Sequence, residues 1–183
     1  MLVVISKIIS TPEIVDYEYY VKKFQKSANR VDKKMLNKKH IEIYVGIYRD
    51  SVVLKLYKRE WTNDKTDPIN AKSRIFFSIW VSDKTIKQNK VYYNIHAFKL
   101  RELKGYSIKS RDFTNEFRRG FKAFERDWKN VSVKFGPLTL MEGWHYFTNE
   151  NLESIVEKLA DNFLLIENLI ESTLEKFEST NLG

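Results

Sequence analysis

Cysteine is absent from the sequence, and proline and glycine are scarce, at three and six residues of 183. Without thiols the chain has no disulfide, thiolate nucleophile, iron–sulfur ligand or Cys-based zinc site. Six glycines leave little material for phosphate-cradling loops. No GxGxxG, Walker or GxSxG pattern occurs, which removes the physical parts of dinucleotide-binding, nucleotide-triphosphatase and serine-hydrolase sites. No run approaches the roughly 18 apolar residues of a membrane-spanning helix. The opening MLVVISKIIS is apolar but short, with no basic n-region and no small-residue cleavage site, so no signal peptide is expected. These absences predict a cytoplasmic protein with no membrane partner. His40, His96 and His145 lie far apart and form no helical HxxxH pair, so neither a metal nor a cofactor is expected.

What is present supports a real core. Hydrophobic residues make up 43% and aromatics 14%, enough for one folded domain over residues 1–183. The formal net charge of +8 is unevenly spread. Residues 150–178 carry eight acids and two bases, a net of −6, leaving 30 bases against 16 acids, a net of +14, over residues 1–148. A basic body beside an acidic tail segment points to a polyanion partner or to self-masking. A composition rich in Lys, Asn, Ile, Tyr and Phe, as A+T-rich coding produces, gives the same high pI with no partner at all.

The patterning reads as α-β4-α-β2-α. Ser10-Thr11-Pro12-Glu13 is a helix start, and Ile14, Tyr17, Val21, Phe24, Ala28, Val31 and Met35 continue one helical stripe of about seven turns. From Ile41 the period becomes two, predicting a hairpin of Ile41–Tyr48 with Val52–Lys58. Strands at Ser73–Val81 and Lys90–Leu100 follow, after a loop from Arg59 to Lys72 and a connection from Ser82 to Asn89. A second helix, capped by Ser110, places Phe113, Phe117, Phe121, Phe124 and Trp128 on one face. Val131–Phe135 and Leu138–Phe147 read as two more strands around Gly136-Pro137. A last helix spans Asn149 to Phe177. The predicted class is therefore α+β, an antiparallel sheet of about four to six strands with three amphipathic helices.

Three functions are compatible with this layout. The first is a non-enzymatic nucleic-acid or other polyanion-binding protein. Its contacts would be Lys22, Lys23, Lys26, Arg30, Lys33 and Lys34 on the first helix, with Arg118 and Arg119 on the second. Arg74 and Trp80 would add to them from the sheet. If the alternating apolar residues from Ile41 to Val81, Ile47 among them, face the core, the opposite face carries Tyr44, Tyr48, Tyr57, Phe76 and Trp80 with Lys55 and Arg74. Tyr92, Asn94 and His96 join from the fourth strand. Flat aromatics interleaved with cations suit stacking recognition of single strands, although the chain has no ribonucleoprotein-type consensus, and helices on both sides would bury that face. The second is an interaction or oligomerisation module. In it the acidic segment 149–183 serves as a homodimer or docking element, or pairs antiparallel with the basic first helix. The third is a Mg²⁺-dependent nuclease built on Asp83 and Glu102-Leu103-Lys104, with Glu42 and Asp50 nearby. Asp32-Lys33-Lys34 and Asp127-Trp128-Lys129 match the same spacing, as a lysine-rich chain does by chance.

Overall fold

A computed structural model describes residues 15–179. The fold is α+β, with one antiparallel sheet and five helices. Along the chain run α1 (Tyr17–Arg30), α2 (Lys33–Lys39), β1 (Glu42–Tyr48), β2 (Ser51–Tyr57), β3 (Arg74–Ser82) and α3 (Asp83–Lys87). They are followed by β4 (Lys90–Phe98), α4 (Ser110–Phe121), β5 (Thr139–Tyr146) and α5 (Leu152–Glu175). The five strands lie in sequence order, each antiparallel to the next. The helix start expected at Ser10–Glu13 lies outside the described residues.

Three expected elements differ, each for a local reason. The first apolar stripe is not one helix. Val31 and Asp32 turn extended, with ψ of 138° and 104°. The Asp32 carboxylate accepts from the N–H groups of Lys34 and Met35 at 2.8 and 3.2 Å. A carboxylate that satisfies first-turn donors starts a new helix, although the apolar rhythm runs on to Met35. The aromatic rhythm of the second helix likewise overruns its end. Helix α4 stops at Phe121, and a 3₁₀ turn at Glu125–Asp127 brings Trp128 to the core. The predicted strand 131–135 makes only one bridge, Ser132 with Glu142, so β5 joins the sheet directly beside β4.

The two sheet faces have different fates. On one, Leu54, Ile75, Phe77, Ile79 and Ile95 are fully buried in a single core with Phe24 of α1, Phe117 of α4 and Phe163 of α5. Phe77 stacks on Phe163, ring centroids 4.6 Å apart and planes at 7°. Burial at about 25 cal/mol per Å² of apolar surface makes this layer the main source of stability. Gly120 permits the close approach of α4 to α5, since a Cβ there would collide with Leu169. Ile47, expected to face this core, is 52% exposed near the end of edge strand β1. The aromatics of the other face, among them Tyr48, Phe76, Trp80 and Tyr92, do not belong to this core. Tyr48, Trp80 and Tyr92 are half-buried there, and Phe76 is buried under Lys55 and Arg74.

The basic and acidic helices do meet, but not antiparallel. Lys23 reaches the Asn149 carbonyl and Glu153, Arg30 reaches Glu153 and Glu157, and Lys39 of α2 reaches Glu167. The partners advance together along both segments, so the helices run in the same sense.

Candidate functional site

Strand register builds the uncovered face. Lys55 pairs across from Ser78, Ser78 from Asn94, and Asn94 from Glu142, so one polar row crosses the sheet from β2 to β5. The row on one side holds Val53, Trp80, Tyr92 and Trp144; on the other, Phe76 lies opposite His96, and Arg74 opposite Phe98 beyond it. A register shift at Ile95/His96 interrupts the β4–β5 ladder, a feature that bends a strand. The resulting trough encloses about 450 Å³, with Lys55, Ser78 and Asn94 inside and Tyr48, Arg74, Trp80, Phe98 and Glu142 among its walls.

Flat rings and cations alternate over this surface. Trp80 stacks on Tyr92 at 4.9 Å and 23°, and His96 on Phe98 at 5.1 Å and 22°. The Lys55 ammonium sits 3.9 Å from the Tyr48 ring centre and 5.1 Å from that of Phe76. The Arg74 guanidinium lies 5.2 Å from Phe98, and Lys90 lies 4.1 Å from Trp144. Among the described residues none of Lys55, Arg74 and Lys90 forms an ion pair. Lys55 is only 5% exposed, and burial, with the Arg74 charge added, pulls its ammonium down to about 8. Burial also lowers the His96 imidazole, with a smaller contribution from the same two cations. A buried charge without a counter-charge is costly, and an anion in the trough would relieve it. Two polar groups complete the floor. Asn94 donates from Nδ2 to a Glu142 carboxylate oxygen at 3.1 Å, while its buried Oδ1 has no partner among the described residues.

The structure separates the residues that charge alone grouped together. Arg74 and Trp80 line the trough, as the alternation predicts. Lys23, Lys26 and Arg30 converge instead on Glu153, at 3.3, 3.8 and 3.3 Å. Lys22, Lys33 and Lys34 are exposed on α1 and α2. Arg118 is taken up by scaffolding: its guanidinium donates to the carbonyls of Phe135, Gly136, Thr139 and Leu140, and burial lowers its pKa. Arg119 pairs with Glu116 at 2.9 Å. The expected carboxylate set does not assemble either. Asp83 follows β3 and accepts from the Tyr17 hydroxyl at 2.5 Å. Glu102 and Lys104 follow β4, beyond the opposite end of the sheet. Glu42 is held by Arg59 at 2.5 Å, and among the described residues no three His or carboxylate groups gather to hold a metal. Sequence reasoning missed Lys90, Phe98, Glu142 and Trp144. Alternation in Thr139–Tyr146 was the available signal for the last two, since it puts Glu142 and Trp144 on one face. Against models of known protein families, curated proteins and solved structures, the chain matches none.

Proposed function

We propose that the trough and its surrounding aromatic surface bind single-stranded nucleic acid, as a non-enzymatic binding protein. The observation carrying this reading is that Lys55 and Arg74 lie against aromatic rings with no acid beside them, on a face left outside the core. Each unstacked base offers a π-face to Trp80, Tyr92, His96 or Phe98, and each phosphate offers the missing counter-charge. Stacking of this kind contributes about 1–3 kcal/mol per base and is tolerant of sequence. A duplex hides its base faces, so single strands are the fitting ligand. The exposed lysines of α1 and α2 are secondary in this reading, because the helix cations nearest to α5 are already paired.

Fluorescence anisotropy with labelled single- and double-stranded oligonucleotides at two salt concentrations tests it. Single strands are expected to bind more tightly, with affinity falling as salt rises. Trp80→Ala is expected to weaken binding roughly tenfold, and Lys55→Met with Arg74→Met to weaken it further and flatten the salt dependence. Neutralising Lys22, Lys33 and Lys34 together is expected to change affinity less than either. No binding at low salt, or a larger loss from the helix variant, would overturn the assignment.

A further inference from the structure

The trough is polarised, and its polarity matches one nucleotide. At the β2–β3 side Lys55 and Arg74 present two cations within each other's field. At the β4–β5 side Asn94 and Glu142 present acceptors. Glu142 Oε2 already receives the Asn94 amide, which fixes Asn94 with its Oδ1 as the unsatisfied group. Adjacent strands are about 4.8 Å apart, so Lys55 and Asn94, with Ser78 between them, are separated by about 10 Å at the backbone. That is comparable to the distance from phosphate to base edge within one nucleotide. Phe76 is buried beneath Lys55 and Arg74 at the floor, and Trp80 on the wall is a flat surface for a base to lie against.

Resting on the single-strand reading above, we infer that this trough is a base-selective subsite that admits one nucleotide with its phosphate at Lys55 and Arg74 and an amino-bearing base edge at Asn94 and Glu142. Chemistry decides the selectivity. The exocyclic amine of cytosine or adenine has two N–H donors, one for Asn94 Oδ1 and one for the Glu142 carboxylate. Thymine or uracil presents a carbonyl oxygen at that place, which meets two acceptors and is repelled. A well-placed polar pair discriminates bases by about 1–3 kcal/mol. The cation end is indifferent to the base and supplies affinity without choice.

The test compares oligo-dC with oligo-dT of equal length, by anisotropy at one fixed salt concentration, with the full chain and with Glu142→Gln. Oligo-dC is expected to bind roughly tenfold more tightly. Glu142→Gln keeps the size of the side chain but adds an N–H donor and removes the charge, so the ratio is expected to fall to within about twofold. Circular dichroism on the same samples checks that each variant is folded, and Asn94→Leu, which removes the Oδ1 acceptor at similar size, should also lower the ratio. Equal affinity for the two oligomers, or a ratio that both variants leave intact, overturns the base-edge assignment while the sheet-face reading stands. Failure of the full chain to bind either oligomer overturns both.

Discussion

The molecule handles its cations in two opposite ways. Between the helices, basic and acidic side chains are matched: Glu167, 1% exposed, takes Lys39 at 2.7 Å and Lys58, which also reaches Glu171 at 2.5 Å. Burial works against the Lys58 charge, but the two carboxylates outweigh it and raise its pKa. On the uncovered sheet face, Lys55 is as deeply buried and has rings where Lys58 has carboxylates. Its pKa falls. The same residue type is thus a paired internal cation in one place and a buried cation set against aromatic rings in the other. Net charge cannot distinguish the two, since it counts paired and unpaired lysines alike.

Four substitutions would break or sharpen this contrast. The largest effect is expected where the two faces are set against each other. Phe77→Ala, in the core against Phe163, should lose about 3–5 kcal/mol in urea denaturation, whereas Trp80→Ala on the uncovered face should lose less than a third of that. Equal losses would mean that the trough is core. Next comes Glu167→Gln, which takes from Lys39 its only carboxylate among the described residues, and from Lys58 one of two, in a largely buried place. A loss of about 3 kcal/mol is expected by the same measurement, and a neutral result would show that the pairing is dispensable.

The smallest effect has the opposite sign. Lys55→Met should stabilise the protein by about 1–2 kcal/mol at pH 7, after allowance for screening. The folded-state value of about 8 lies below the ordinary 10.5, so the native state holds fewer protons than the unfolded chain between them. The penalty is therefore fully present below about pH 8 and fades as pH rises toward 10.5. The advantage of the Met variant should shrink over that window in denaturation curves taken from pH 7 to 10. A gain that does not change with pH would mean that the Lys55 charge is not the source.

Much of the fold was legible in periodicity. Period two over residues 41–58 gave the first hairpin, and the strands 73–81 and 90–100 and the last helix followed from the same patterning. The misses share one cause, which is that a hydrophobic rhythm reports which side faces the core and not whether the backbone is continuous. Val31 and Met35 both face inward across a helix break, and only Asp32, a capping residue in mid-stripe, announced it. Trp128 likewise reaches the core from beyond the end of α4. The trough was half visible: alternation placed Lys55, Arg74, Phe76 and Trp80 together, but whether helices cover that face depends on tertiary packing. Asn94 and Glu142 became partners only once β5 was known to lie beside β4.

The neighbour-to-neighbour order of the strands has a kinetic consequence. The pairings from β1 to β4 join segments adjacent in the chain, so the loops they close are far shorter than the separation of α1 and α5. The acid–base contacts that clamp α1 and α2 to α5 join residues 130 and 128 positions apart. Loop-closure entropy delays contacts of that separation until most of the structure is in place. Interactions formed after the rate-limiting barrier slow unfolding and leave the folding rate nearly untouched. The helix ion pairs, which take no part in the proposed binding surface, are therefore expected to act as a latch on the finished molecule, so that removing them speeds unfolding more than it slows folding.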